Sequence, residues 1–284
     1  MSLILDPLNF SFFQRALIAA LLVGVLCPVL GTYVVLRGMA FLGDALAHII
    51  LPGVVIAFLT GIPLVIGALT MGVLTAFGIG ALSERNLLRE DSAIGVIFAG
   101  AFALGIALLS ATDGYAVDLT HFLFGNLLGV SVTDLWTMFG LSIVVLLVII
   151  LFYKELLVVS FDPTLARTLR LPVRFYDYLL LVLIAITVVV ALNAVGISLM
   201  LAMIVTPAAA ASFLTRRLTS MMVIGAIIGA LSGVIGLYAS FYLNIASGPA
   251  VVLVATAIFG IIFVFAPEHG AIYRWIGRKA RTVA

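Results

Sequence analysis

The sequence predicts an all-α, polytopic membrane protein in which residues 1–284 form a single transmembrane domain, and its composition and hydropathy pattern indicate that class. Hydrophobic residues make up 65% of the chain and charged residues only 9%, whereas soluble domains contain about 25% charged residues. The apolar residues form runs of about 20, the length of helix that crosses about 30 Å of hydrocarbon. The single cysteine, Cys27, excludes an intrachain disulfide and a thiolate metal cluster. The net charge of +2 gives no reason to expect a nucleic-acid partner.

Charged residues mark the ends of nine candidate membrane spans. The division at Val195-Gly196 decides the count, because a helix that continued through it would leave eight spans. The predicted spans are 11–36, 42–60, 63–83, 92–112, 132–152, 175–193, 196–214, 220–243 and 249–267.

Proline and glycine residues inside three spans predict bends and close helix contacts. Pro28 in the first span predicts a bend that need not break the helix, because neighbouring helices in a membrane can satisfy the freed backbone groups. Pro52-Gly53 in the second span predicts a kink that could let the helix move, and the alternative is an ordinary, tolerated transmembrane proline. In the eighth span Gly225, Gly229 and Gly233 lie four residues apart, so one face of small residues lets a second helix approach closely. The spacing leaves open whether that helix belongs to the same chain or to another copy.

The distribution of basic residues predicts the orientation in the cell membrane. With nine spans, all of the 14 Lys and Arg residues except Arg15 fall on one side, and the positive-inside rule makes that side cytoplasmic. The amino terminus is therefore expected outside and the carboxyl terminus in the cytoplasm. The first residues carry Asp6 and lack the basic region of a cleavable signal peptide, so we expect this end to be retained.

An acid and an imidazole, Asp44 and His48, lie one helical turn apart in the apolar second span. Residues four apart share a helix face with Cβ atoms about 5 to 6 Å apart, close enough to bind one ligand. Counted from Arg37 at about 1.5 Å per residue, both lie near the bilayer midplane, where a carboxylate is costly without a compensating charge. The pattern predicts a site for a divalent cation. The alternative is a hydrogen bond from Asp44 that only packs two helices together.

A second acid and imidazole, Asp118 and His121, lie with Asn126 in an outer segment between the fourth and fifth spans. This segment is too short to cross the membrane and predicts an interfacial half-helix. Asp118 and His121 share a helix face, so the three residues are candidates for an outer metal pathway. The alternative is that these side chains are simply exposed at the membrane surface, where they need no ligand.

Residues 161–172, in the longest inner loop, predict a short amphipathic helix. Asp162 before Pro163 supplies an N-cap and a first-turn proline, and Pro172 ends the run. Two roles fit this pattern. The helix would attach to the membrane surface through its arginines or dock onto a cytoplasmic partner.

The motifs of several enzyme classes are absent from the sequence. It contains no glycine-rich phosphate loop that ends in Gly-Lys-Ser or Gly-Lys-Thr, no HExxH zinc-hydrolase helix and no GxSxG nucleophile elbow. We therefore expect that the chain is not an enzyme and does not hydrolyse ATP by itself.

Five stretches in the same order resemble the membrane permeases of bacterial ABC importers for manganese, zinc and iron. Together they extend over nearly the whole chain, which makes the resemblance more specific than any single motif. It implies the fold of type II ABC importer permeases, a homodimer of permeases, two cytoplasmic ATP-binding subunits that hydrolyse ATP, and an extracytoplasmic metal-binding protein. The stretches are FLGDALAHIILPGVVIAF (41–58), DSAIGVIFAGAFALG (91–105), DLTHFLFGNLLGVS (118–131), FDPTLARTLRLP (161–172) and VGISLMLAMIVTPAAAA (195–211).

The resemblance also implies roles for two of these patterns. Asp44 and His48 would contact the metal in the translocation path, and residues 162–171 would form the cytoplasmic coupling helix that sits in a groove of the ATPase. Arg170 stands where many relatives have glycine before Leu-Pro, and this departure puts the end of the helix in question. The implied coupling residues are Asp162, Leu165, Ala166, Arg167 and Leu169.

Manganese is the expected metal. Carboxylate and imidazole ligands without thiolate suit Mn²⁺, Fe²⁺ or Zn²⁺, and residues 118–131 and 205–211 resemble manganese-type members more than zinc-type ones. The metal is a transported substrate, so no permanently bound cofactor is expected. Two other classes stay open, an ion-coupled secondary transporter with an acid at the midplane and a scaffold in which Asp44 and His48 only bond neighbouring helices.

Overall fold

The structure, a computed structural model, describes residues 6–83, 90–111 and 127–266. Within these residues the regular secondary structure is helical and contains no strands, which confirms the predicted all-α class. Two short 3₁₀ turns accompany the α-helices. The α-helices are α1 Ser11–Leu36, α2 Ala40–Ile49, α3 Leu51–Thr60, α4 Leu64–Ser83, α5 Glu90–Ser110, α6 Val132–Leu151, α7 Tyr153–Phe161, α8 Pro163–Thr168, α9 Val173–Leu214, α10 Leu218–Leu243 and α11 Ser247–Phe265.

Nine helical stretches in the described part of the chain are long and apolar enough to cross a membrane. The helices α2 and α3 together form one of them, and α9 contributes two. The two halves of α9 meet at Gly196, whose φ of 74° and ψ of 175° are not helical. Glycine adopts a positive φ without a steric penalty because it has no Cβ. The predicted division at Val195-Gly196, and with it the count of nine, is confirmed.

The two prolines with predicted bends lie in different helical settings. Helix α1 continues through Pro28 over 26 residues, and Thr32 Oγ1 donates a hydrogen bond to the Pro28 carbonyl at 2.9 Å. The second predicted span is divided at Ile50, between α2 and α3. Pro52 lies in the first turn of α3, where its missing N–H costs little. Ile50 keeps helical angles, with a φ of −71° and a ψ of −13°, and the helical bond lost here is the one that Pro52 cannot donate to the carbonyl of His48.

The chain divides into two compact units. The first comprises Met1–Val35, Leu127–Val130 and Ser198–Ala284. Within it, a methyl group on Gly229 would overlap the carbonyl oxygen of Gly24, so α1 and α10 pack backbone against backbone. The helix that approaches the glycine face of the eighth span therefore belongs to the same chain.

The second unit comprises Leu36–Asn126 and Ser131–Ile197. Here α3 and α4 pack through Gly53 and Gly67, since a methyl group on either residue would overlap the carbonyl oxygen of the other. This contact holds the start of α3, just after Ile50, against α4. The described candidate metal and coupling residues all belong to this unit.

Candidate functional site

Asp44 and His48 lie on one face of α2, as the sequence predicts. His48 Nε2 is 3.8 Å from Asp44 Oδ1, and 28% of the His48 side chain and 31% of the Asp44 side chain are exposed. Both polar groups are therefore accessible on a helix whose other residues are largely buried. The buried residues of α2 are Leu42, Gly43, Ala45, Leu46, Ala47 and Ile49.

The imidazole of His48 packs against two phenylalanine rings of α5. Its ring centroid lies 5.9 Å from Phe98 and 5.3 Å from Phe102, with interplanar angles of 67° and 72°. The two phenylalanine rings stack on each other at 5.7 Å. Edge-to-face contacts of this kind are favourable, so they restrict the orientation of the imidazole beside Asp44.

The charge of Asp44 is not balanced by any lysine or arginine in the described residues. Its side-chain contact is with the His48 imidazole, at 3.8 Å. The nearest basic residue in the sequence, Arg37, instead places Nη2 2.8 Å from Oδ1 of Asp177. A carboxylate in a membrane span needs a compensating charge, and a divalent cation at Asp44 and His48 would supply one.

The pair supplies two side-chain ligands. No group of three or more His, Cys, Asp and Glu side chains suited to a metal occurs among residues 6–83, 90–111 and 127–266. Structural metal sites are closed by about four protein ligands, so the described residues do not form a site of that kind. Two ligands with open coordination positions are compatible with a cation that is held and then released.

The candidate outer pathway of Asp118, His121 and Asn126 lies outside the described residues. Its role stays a prediction.

The predicted amphipathic helix is α8, and its first turn is capped by Asp162. The Asp162 carboxylate accepts hydrogen bonds from the backbone N–H groups of Thr164 at 3.0 Å and Leu165 at 2.9 Å. With Pro163 in the first turn, this is the start that the sequence predicts. Phe161 is the last residue of α7, so the helix begins after it.

Helix α8 ends in a Schellman motif that has arginine where glycine is preferred. The N–H of Leu171 donates to the carbonyl of Ala166, and the N–H of Arg170 donates to that of Arg167, both at 3.0 Å. Arg170 has a φ of 57°, in the left-handed region. The chain thus keeps the turn that glycine makes easily, despite the departure noted in the sequence.

The side chains of α8 separate into a buried and an exposed set. Ala166 is fully buried, whereas Leu165 and Leu169 are 47% and 57% exposed, and Arg167 is exposed as well. An apolar pair beside a cation on a short, capped helix forms a surface on which a partner can dock.

The comparison with known families decides the class of protein. A family model described as the ABC 3 transport family matches residues 9–266. The chain belongs to the ABC 3 transport family. It is a multi-pass membrane permease subunit of an ABC transporter, which confirms the resemblance found in the sequence and argues against a secondary transporter or a scaffold.

Two relatives and one solved structure show how far this similarity to other ABC 3 proteins extends. The chain is 47% identical over 278 residues to the manganese transport system membrane protein MntC of Halalkalibacterium halodurans, covering 98% of this chain and 95% of the relative. It is 40% identical over 264 residues to the chelated iron transport system membrane protein YfeD of Yersinia pestis, covering 93% and 89%. The solved structure titled PsaBC from Streptococcus pneumoniae in complex with Fab has a TM-score of 0.85 and 38% identity, covering 98% and 99%.

The structure of this ABC 3 permease also identifies residues that the sequence analysis missed. Phe98 and Phe102, which contact His48, lie four residues apart in the 91–105 stretch, a spacing that places both rings on one helix face. Asp177, the partner of Arg37, is 140 residues away in the sequence, and no local pattern connects the two.

Proposed function

We propose that this chain is the permease of an ATP-powered importer of divalent transition metal, with Mn²⁺ as its substrate and Asp44 and His48 as metal contacts in the translocation path. The observation that carries the proposal is the pair on α2, an acid and an imidazole 3.8 Å apart and partly exposed. No lysine or arginine of the described residues pairs with that acid. Carboxylate and imidazole are ligands that Mn²⁺ accepts.

Manganese is favoured by the names of several relatives. The H. halodurans protein and a 46% identical protein of Listeria monocytogenes are both named for manganese transport. Iron is the second candidate, because the Y. pestis relative is named for chelated iron and the same two ligands suit Fe²⁺. Uptake of each metal by the reconstituted transporter, alone and in competition, distinguishes these substrates, and zinc is included because its ligand preferences overlap.

The proposed assembly contains partners that supply what the chain lacks. Its sequence has no phosphate loop, so ATP hydrolysis is assigned to a separate cytoplasmic subunit that docks on α8 through Leu165, Arg167 and Leu169. A second copy of the permease would form a homodimer and offer further metal ligands. An extracytoplasmic metal-binding protein would deliver the ion. No bound cofactor is required beyond the transported metal.

The metal site is tested with Asp44→Asn and His48→Ala. Each should lower Mn²⁺ uptake by at least about tenfold, because even residues that only support a metal ligand change metal affinity by about 10- to 100-fold. Mn²⁺ at 100 times its dissociation constant stabilises a binding-competent protein by about 2.7 kcal/mol. Asp44→Asn should therefore also abolish the Mn²⁺-dependent rise in melting temperature.

The matched control is Asp91→Asn, which removes an exposed carboxylate at the start of α5. It should keep both uptake and the Mn²⁺-dependent stabilisation. Wild-type uptake in the Asp44→Asn, His48→Ala double variant would refute the assignment of these two residues.

The docking role of α8 is tested with Ala166→Pro. The N–H of Ala166 donates to the carbonyl of Asp162 at 3.0 Å, and proline removes that bond at a cost of about 3 kcal/mol inside a helix. ATP hydrolysis should then continue without metal transport, or the ATPase should fail to copurify. Leu169→Ala, which keeps the helix but shortens an exposed side chain, should give an intermediate loss. Full coupled transport by Ala166→Pro would contradict the docking role.

A further inference from the structure

Arg37 connects three elements of the second unit. Its Nη2 lies 2.8 Å from Oδ1 of Asp177, in the second turn of α9, and its Nε donates to Ser160 Oγ of α7 at 3.3 Å. Arg37 itself lies in the short turn between α1 and α2. One side chain thus joins the start of the metal-binding helix to two distant parts of the chain.

The two partners of Arg37 lie on either side of α8. Ser160 is two residues before the Asp162 cap, and Asp177 is five residues after Pro172. A displacement of α8 that moves either flank therefore acts on Arg37 directly. A cavity of about 450 Å³ lined by residues including Arg37, Pro163, Arg167 and Asp177 adjoins this contact, which leaves room for such a displacement.

Breaking the ion pair between Arg37 and Asp177 is costly because Arg37 is nearly buried. The Arg37 side chain is 10% exposed, and that of Asp177 is 38% exposed. A nearly buried guanidinium that lost its carboxylate would be left uncompensated, which is far more costly than breaking an ion pair in water. Its planar fork can also hold two acceptors at once, which a lysine ammonium does less well.

Helix α2 is preceded by non-helical backbone, whereas Ile50 after it keeps helical angles, with a φ of −71° and a ψ of −13°. Gly38, next to Arg37, has a φ of 72°, and a methyl group built on it would meet no atom within 4 Å. At the other end, α2 stops at Ile49. The ten residues of α2, which carry Asp44 and His48, therefore follow Arg37 through a turn in which Gly38 adopts a positive φ.

The geometry points to Arg37 as the positioning residue that transmits movement of α8 to α2, and so sets the position of Asp44 and His48. This inference rests on the proposed docking of an ATPase on α8. Arg37 does not contact the metal in this scheme. Its hydrogen bond to Ser160 and its ion pair with Asp177 convert a displacement of α8 into a displacement of the metal-binding helix.

The test measures movement of α2 without any transported metal. In a Cys27→Ala background, Ala40→Cys places one thiol at the exposed first residue of α2. In the complete transporter, its labelling rate should differ between the nucleotide-free and ATP-trapped states. With Arg37→Gln or Asp177→Asn that difference should disappear while ATP hydrolysis continues. The double variant Arg37→Asp, Asp177→Arg restores the opposite charges and should recover the difference at least in part.

Arg217→Gln is the matched control, because it removes an exposed arginine charge outside this contact and should leave the labelling difference intact. An undiminished difference in Arg37→Gln would overturn the inference. The charge-swapped double variant offers a second refutation. If it restored folding but not the labelling difference, the pair of Arg37 and Asp177 would contribute to stability alone, and the inference would be overturned. The labelling requires no metal, so a failure of the proposed metal specificity would leave this result unchanged.

Discussion

Replacement of Arg170 by glycine should stabilise the end of α8. Arg170 has a φ of 57°, and a left-handed backbone costs a residue with a side chain about 1–2 kcal/mol. Glycine avoids that cost but loses about 0.5–1 kcal/mol more conformational freedom on folding. The Arg170 side chain is exposed, so little packing is lost. The net gain is about 1 kcal/mol, equivalent to about a fivefold change in a local opening equilibrium.

Hydrogen exchange measures this change at the bonds that close the turn. The N–H groups of Arg170 and Leu171 donate to Arg167 and Ala166 at 3.0 Å. In Arg170→Gly the amide of Leu171 should exchange about fivefold more slowly than in the wild type, after correction for intrinsic rates.

Arg167→Gly is a control with the opposite expected sign. The substitution is the same, but Arg167 lies within α8, where glycine costs about 1 kcal/mol relative to a good helix former. Exchange of Leu171 should therefore accelerate. Faster exchange in both variants would refute the assignment of backbone strain to Arg170.

Two further predictions concern helix packing and orientation. Gly53→Ala should lower stability by about 1–3 kcal/mol, because the new methyl would overlap the carbonyl oxygen of Gly67. Gly100→Ala should not lower stability, because a methyl group there would meet no atom within 4 Å. Equal melting temperatures for the two variants would contradict the packing argument. A reporter fused after Arg281 should be cytoplasmic, because the basic residues gather on one side of a nine-span protein. Translocation of that reporter would show that the predicted orientation is wrong.

Local sequence patterns were sufficient to predict the membrane spans and the first residues of α8. A span depends on the length of an apolar run, and the cap of α8 depends on Asp162 and Pro163, which lie together in the chain. The division of α9 at Gly196 follows from the same kind of signal, because glycine tolerates a backbone conformation that other residues avoid.

Contacts between distant residues could not be predicted in this way. The Arg37 pair with Asp177 joins the first turn between helices to the start of α9, and only tertiary packing brings the two together. The contact of Gly53 with Gly67, which holds α3 against α4, likewise joins residues that no local pattern connects. The side-chain pair at Asp44 and His48 was predictable because a single helix turn determines it.

The position of Pro52 also affects the backbone of the candidate metal site. In an uninterrupted helix the residue four places after His48 would donate its N–H to the His48 carbonyl, but proline has no N–H to donate. The N–H of Ile50 donates to the carbonyl of Leu46 at 3.2 Å. If His48 binds the metal as proposed, its carbonyl, which loses the helical partner at Pro52, is an oxygen of the kind that suits Mn²⁺.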